Sequence, residues 1–151
     1  MVKRVEILED ILGANDQIAA ANRKILDEAQ VFAVNIMASP GAGKTSLIEH
    51  TIRGLKDHFE IVVIDGDIAS TLDADRAQAA GAMAIQINTG GECHLDAAMI
   101  QQALARIPLK DIDFIIVENV GNLICPAAFK LGVHKNILIA STPEGDDKPY
   151  K

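Results

Sequence analysis

Ala38-Ser39-Pro40-Gly41-Ala42-Gly43-Lys44-Thr45 lies between two stretches of opposite character. Before it, residues 31–37 form a short and almost continuously apolar run rich in β-branched side chains, as expected of a strand buried on both faces. After it, residues 45–56 carry a helical pattern. Strand, glycine-rich turn and helix in that order make a phosphate-binding loop, GxxxxGK[ST], with Ala38 at the first glycine position. Glycine is needed where backbone N–H groups must turn inward on a phosphate, because a Cβ would obstruct the loop. Position 38 needs a small residue at a strand end rather than a positive φ, so alanine serves. Gly41, Ala42, Gly43, Lys44, Thr45 and Ser46 are therefore candidate nucleotide-binding residues. The Lys44 ammonium reaches the β- and γ-phosphates, the Thr45 hydroxyl ligates Mg²⁺, and the following helix offers its N-terminus to the anion.

Working outward, apolar runs recur at residues 61–64, 83–87, 114–117 and 137–140. Helical patterns separate them at 45–56, 73–80 and 95–107. This alternation predicts an α/β fold, a mostly parallel β-sheet flanked by helices on both sides, with ligands at the loops after the strands' carboxyl ends. Residues 2–28 read as an N-terminal helical segment that Gly13 and Asn15 could divide in two. It either packs on its own domain or serves as an arm for a partner. The remainder, 31–151, reads as one nucleotide-binding domain.

Two acidic strand ends supply candidates for the magnesium shell. The run at 61–64 ends in Asp65-Gly66-Asp67, and the run at 114–117 ends in Glu118-Asn119-Val120-Gly121. The second resembles a Walker B and switch segment, in which the Gly121 N–H can sense a γ-phosphate. Asp67 and Glu118 are the stronger candidates and Asp65 the weaker. Lys44, Asp67 and Glu118 form the expected catalytic group.

The loop after residue 87 contains adjacent Cys93 and His94, and Cys125 follows the switch segment. Both cysteines lie just past strand ends and can reach one rim of the sheet. Two thiolates and an imidazole suit zinc or nickel. The residues alone leave open a blander reading of one buried thiol and one surface histidine. A helix start near Cys93 predicts a lowered thiol pKa. His50, His58 and His134 show no ligand spacing and read as surface residues.

Composition narrows the partners. The chain has 151 residues, 49% hydrophobic, 23% charged and only 3% aromatic, with no tryptophan, so its core must be aliphatic. A net charge of −7 disfavours a nucleic-acid-binding face. No apolar stretch approaches the roughly 20 residues of a membrane helix, and the first residues lack an apolar signal core. A cytoplasmic location is expected, with both cysteines reduced.

Several motifs together resemble the hydrogenase nickel-incorporation GTPases, HypB, of the SIMIBI class of P-loop proteins. They are Asp-Gly-Asp-Ile at 65–68, Asp-Ala-Asp-Arg at 73–76, Thr-Gly-Gly-Glu-Cys-His-Leu-Asp-Ala at 89–97 and Glu-Asn-Val-Gly-Asn-Leu-Ile-Cys-Pro-Ala at 118–127. The resemblance implies slow GTP hydrolysis and delivery of Ni²⁺ into [NiFe] hydrogenase during maturation. It implies Mg²⁺ with GTP or GDP, Ni²⁺ or Zn²⁺ on Cys93, His94 and Cys125, a homodimer completing the metal coordination, and metal binding coupled to nucleotide state and dimerisation through the segment from Glu118 to Cys125. Hydrogenase maturation partner proteins and the hydrogenase large subunit are the implied macromolecular partners. The sequence also departs from the family. It has no cysteine-rich N-terminal motif, no His-rich tract and no Asn-Lys-x-Asp guanine-reading motif, so the base-recognition part is expected to be missing. Two other readings are a nucleotide-inactive metal-binding or scaffold module and a P-loop small-molecule kinase. Arg76 and Arg106 are too isolated to form a kinase lid, and Cys93-His94 would have no role in one.

Overall fold

The computed structural model describes residues 7–67 and 79–144. Most of the expected helix at 73–80, the Asp-Ala-Asp-Arg stretch with Arg76, and the first six and last seven residues lie outside the described part. Within it run α1 (Ile7–Ala29), β1 (Phe32–Ala38), α2 (Lys44–Leu55), β2 (Ile61–Asp65), β3 (Met83–Gln86), α3 (Ala97–Leu104), β4 (Phe114–Glu118), the single-turn α4 (Cys125–Ala128) and β5 (Lys135–Ile139). All five strands are parallel, in the order β3-β2-β4-β1-β5. Each predicted strand falls within two residues of an observed one. No helix among the described residues is long and apolar enough to cross a membrane.

The order explains where chemistry can gather. The chain leaves β1 for β2 and β3, then returns to insert β4 between β1 and β2. The turns after β1, β2 and β4 therefore open on one rim, at a point where the strand order reverses. Register brings Asp65 at the tip of β2 directly opposite Glu118 at the tip of β4.

Alternation along the strands divides the core in two. Ala33, Val62, Ile64, Ile115 and Val117 face one way and pack with Leu26 of α1 and Ile100 and Leu104 of α3. Val34, Ile36, Ile61, Val63 and Ile116 face the other way, onto Ile48 and Ile52 of α2. Ile48 and Ile52, one helical turn apart, are completely buried, and cutting either to alanine should cost about 2–5 kcal/mol. With so few aromatics in the chain, these aliphatic contacts carry the packing.

Gly13 and Asn15 do not divide the N-terminal helix. α1 runs unbroken over 23 residues. The Asn15 side chain is instead recruited into tertiary structure, accepting the Ala97 N–H at 2.8 Å and donating to the Lys130 carbonyl at 2.8 Å. Asn22, also buried, donates to the carbonyls of Ala97 and Leu131 at 2.8 and 3.0 Å. Two amides thus tie α1 to α3 and to the turn before β5, so the helix packs on its own chain. His134 is likewise not a free surface residue. Its Nδ1 accepts the Ala33 N–H at 3.0 Å and its Nε2 lies 2.9 Å from Asp27 Oδ1. That bond holds the Asp27 carboxyl below its ordinary value. His50 and His58 are exposed as expected.

Candidate functional site

β1 ends at the buried Ala38, whose backbone needs no positive φ. The loop then turns through Gly41 at φ 75° and Gly43 at φ 105°, values that favour glycine. Ala42 N–H bonds back to the Ser39 carbonyl at 3.2 Å, closing the turn. Gly43 is the N-cap of α2, and no side chain caps that helix. Its first amides, at Lys44, Thr45 and Ser46, therefore face the loop's concavity as donors suited to an anion.

Lys44 is buried, and its Nζ lies 3.2 Å from Asp67 Oδ2. The Thr45 hydroxyl donates to Glu118 Oε1 at 2.9 Å. The two strand-end acids thus meet the phosphate loop in adjacent pairs. Asp65 stands beside both. Its Oδ1 accepts the Asp67 N–H at 2.9 Å, whereas its Oδ2 is buried with no hydrogen-bond partner among the described residues. Burial, then the neighbouring Glu118 carboxylate, pushes the Asp65 carboxyl up to about 7, and the Asp67 N–H works against that rise. Asp65, the weaker candidate in the sequence, is therefore as deep in the cluster as Asp67 and Glu118. An orphaned buried oxygen among hard carboxylate and hydroxyl ligands fits a small dication such as Mg²⁺.

Gly121 sits against both the phosphate loop and this cluster. A Cβ on it would come 3.2 Å from Pro40 Cγ and 3.3 Å from Asp67 Oδ2. The switch segment thus passes close to the turn that follows β1, and a side chain at 121 would require its neighbours to give by a few tenths of an ångström.

The thiols occupy the neighbouring part of the rim. Cys93 and Cys125 are both free thiols, and they neighbour one another although they stand 32 positions apart in the sequence. Cys93 Sγ also lies 3.6 Å from His94 Nδ1. The His94 ring stacks on Phe129 with centroids 3.9 Å apart. Among the described residues no three His, Cys, Asp or Glu side chains are already gathered in coordinating geometry. Two thiols are together, and the imidazole is adjacent but turned onto Phe129. One expectation about this loop fails. α3 begins at Ala97, with Asp96 as its N-cap accepting the Met99 N–H, so Cys93 lies outside the helix's first turn. The neighbouring Cys125 thiol raises the Cys93 thiol above its ordinary value instead of lowering it.

Four amides not singled out in the sequence shape the surroundings. Asn119 is fully buried beside Glu118 and bonds Asn35 in β1, which in turn donates to Asn136 in β5. Asn122 Nδ2 donates to the Cys93 carbonyl at 3.2 Å. The one sequence signal for this network is an amide inside an apolar strand, Val34-Asn35-Ile36, which a buried strand tolerates only when the amide is fully bonded.

Comparison with known proteins agrees with this geometry. Residues 32–141 match the nucleotide-binding domain described as CobW/HypB/UreG. The chain is 48% identical to a probable hydrogenase maturation factor HypB of Methanocaldococcus jannaschii over 147 residues, covering 97% of this chain and 66% of that protein. It is equally identical to a hydrogenase maturation factor HypB of Rhizobium leguminosarum, covering 97% of this chain and 49% of that one. The crystal structure of HypB from Helicobacter pylori in complex with nickel superposes with a TM-score of 0.81 at 42% identity, over 91% of this chain and 65% of that one. The chain thus spans about half to two thirds of the length of these relatives. The phosphate loop, the acids opposite it and the all-parallel sheet place the chain in the CobW/HypB/UreG nucleotide-binding domain family, where the relatives it resembles are HypB proteins.

Proposed function

We propose that this chain is the nucleotide-binding part of a GTP-hydrolysing metallochaperone that assists nickel insertion into [NiFe] hydrogenase. Gly41, Gly43 and Ser46 offer backbone N–H groups to the phosphates, Ala42 shapes the loop through its bond to the Ser39 carbonyl, and Lys44 exchanges Asp67 for the β- and γ-phosphate oxygens. Thr45, Asp67 and Glu118, with Asp65 behind them, would hold Mg²⁺. When bound, the ion neutralises charge building on the β- and γ-phosphates. The residues' own part is to orient the triphosphate, exclude water from all but the attacking position and donate from Lys44 and the loop amides to the departing β-phosphate. Gly121 N–H would bond the γ-phosphate and release it after cleavage. Cys93, His94 and Cys125 receive the nickel as cargo, or zinc in its place. A homodimer would double the donor set and complete the coordination.

The observation that carries this reading is the Thr45–Glu118 bond on the same rim as two free thiols, Cys93, whose Sγ lies 3.6 Å from His94 Nδ1, and Cys125. A P-loop kinase has no use for that pair. Guanine as the base, hydrogenase as the recipient and maturation proteins as partners are proposed from the HypB relatives. Metal and nucleotide titrations of the wild type, Cys93→Ala and Lys44→Ala test the assignment. Cys93→Ala should lose nickel and keep GTP, and Lys44→Ala should do the reverse. Wild-type nickel affinity in Cys93→Ala would remove the metal site from the proposal. Nickel binding without any nucleotide binding in the wild type would favour the scaffold alternative.

A further inference from the structure

Phe32 and Phe114 open β1 and β4, and the two residues stand opposite one another in register. Their rings stack with centroids 5.9 Å apart. They mark the amino ends of the strands, the end of the sheet away from the phosphate loop and the thiols. Packing there is incomplete. Phe32 is 46% exposed, and Phe59, four residues past the end of α2, is 47% exposed. The three rings share a cavity of about 430 Å³ with Gln30, Leu55 and Asp113. Three of the four phenylalanines in the chain thus gather at one surface, and two of them are left half open to water. On the other side of Phe32 a second cavity, of about 330 Å³, reaches His134, whose ring centroid lies 5.0 Å from that of Phe32. Clustered surface aromatics with polar groups at their margin have the composition of an interface centre.

The margin is acidic. Asp113 Oδ2 accepts the Glu60 N–H at 2.8 Å, and its Oδ1 takes no bond among the described residues. Glu60 follows Phe59 directly and is exposed. Neither carboxylate meets a cation among the described residues. Asp27, on the second cavity, differs, because Arg23 and His134 lie 3.1 and 2.9 Å from its Oδ1. Gln30 lines both cavities. It ends α1 at φ 57°, the one non-glycine residue with a positive φ among the described residues. Backbone of that kind favours glycine, so this amide side chain stands between the cavities at a cost to the fold.

We propose that this face docks a partner segment in which a large apolar side chain is flanked by lysine or arginine. The apolar group seats among Phe32, Phe59 and Phe114, and the cation meets Asp113 and Glu60. Charge decides among the occupants. A second copy of this chain brings a net charge of −7 and the same acids to the contact. Nucleic acid and anionic lipid are repelled by Asp113 and Glu60. An apolar and cationic segment gains twice. Its anchor removes half-exposed rings from water, and its guanidinium or ammonium pairs with carboxylates that have no cation of their own. The face is remote from the nucleotide rim, so the proposal stands or falls apart from the function proposed above.

Three labelled synthetic peptides of equal length test it, one alternating leucine with arginine, one leucine with glutamate and one serine with arginine. Binding is read by fluorescence anisotropy and located by amide chemical shifts. The leucine–arginine peptide should bind saturably and shift residues 30–32, 59–60 and 113–114, and the other two should bind about ten-fold more weakly or worse. Phe59→Ser and Asp113→Asn should each weaken its binding by about five-fold or more, with unchanged far-ultraviolet dichroism. Both sites are exposed, and the asparagine keeps an acceptor for the Glu60 N–H, so both variants should fold. Gln30→Gly should weaken binding while raising the midpoint of thermal unfolding. No saturable binding, wild-type binding in Phe59→Ser or in Asp113→Asn, equal binding of the glutamate peptide, or shifts confined to the nucleotide rim would each overturn the proposal. So would sedimentation in which the wild type self-associates and Phe59→Ser does not, since the occupant would then be a second copy.

Discussion

Lys44 Nζ lies 3.2 Å from Asp67 Oδ2, and both side chains are largely buried. The ammonium proposed to meet a nucleotide's phosphates is thus held by the acid that follows β2. Removing one member of such a pair leaves the other charge desolvated, here beside Asp65 and Glu118. Lys44→Ala should lower the unfolding free energy of the nucleotide-free protein by about 3 kcal/mol, measured by urea denaturation. Asp67→Asn, which removes a charge from a crowded acidic cluster, should cost distinctly less. An equal cost for the two would show that the pair itself, and not the residual acidity, sets the stability.

Thr45 and Glu118 predict a magnesium-specific defect. Thr45→Val deletes the hydroxyl that donates to Glu118 Oε1 at 2.9 Å while preserving the branched shape. Nucleotide affinity should fall by about ten-fold or more in the presence of Mg²⁺ and change little with the ion chelated, whereas Thr45→Ser should retain most of the wild-type affinity. The titration is run with and without chelator. A loss of the same size in both conditions would mean the hydroxyl acts on the fold and not on the ion.

Asp65 predicts a pH-dependent stability with a definite sign. Its carboxyl rises from 3.8 to about 7 on folding, chiefly through burial. Below pH 3.8 it is neutral in both states, and its contribution to stability is fully present. As pH climbs toward 7 the unfolded chain ionises freely and the folded one resists, so that contribution is lost. Asn at this position keeps the acceptor for the Asp67 N–H and has no charge to bury. Asp65→Asn should therefore gain on the wild type between pH 4 and 7, then level off with an advantage on the order of 4 kcal/mol without magnesium. Denaturation curves across that range check it. A difference independent of pH would contradict the raised value.

Gly66, between Asp65 and Asp67, carries a close packing demand. A Cβ there would come 2.5 Å from Leu95 Cδ2. Gly66→Ala should destabilise by about 1–3 kcal/mol in the wild type. In a Leu95→Ala background the same substitution should be nearly neutral, a non-additivity that a double-mutant cycle measures. Strict additivity would place the clash elsewhere.

The strands were readable because a parallel strand covered on both faces must be apolar throughout, as in residues 114–117. The phosphate loop was readable because Gly41, Gly43 and Lys44 each answer a separate physical demand at a fixed spacing. Asp65 was undervalued because its depth depends on register with Glu118, which no local pattern reveals. The amides at 15, 22, 119 and 122 were missed for the same reason, since each bonds backbone far along the chain. Gly13 and Asn15 suggested a break where none exists, because the Asn15 bonds to Ala97 and Lys130 tie the helix down. The thiol expectation failed because helix starts are uncertain by a few residues, and Cys93 lies four residues before the first residue of α3.

The absence of a side-chain cap at Gly43 has a consequence for the protein's lifetime. A helix usually carries its own N-terminal acceptor, worth about 1 kcal/mol, and α2 does not. Nucleotide held there in hundred-fold excess over its dissociation constant would add about 2.7 kcal/mol to the native state. Proteases act on the opened chain, so degradation would slow about a hundred-fold under those conditions. The uncapped turn would thereby also act as a gauge of supply, tying the protein's persistence to the amount of nucleotide available to it.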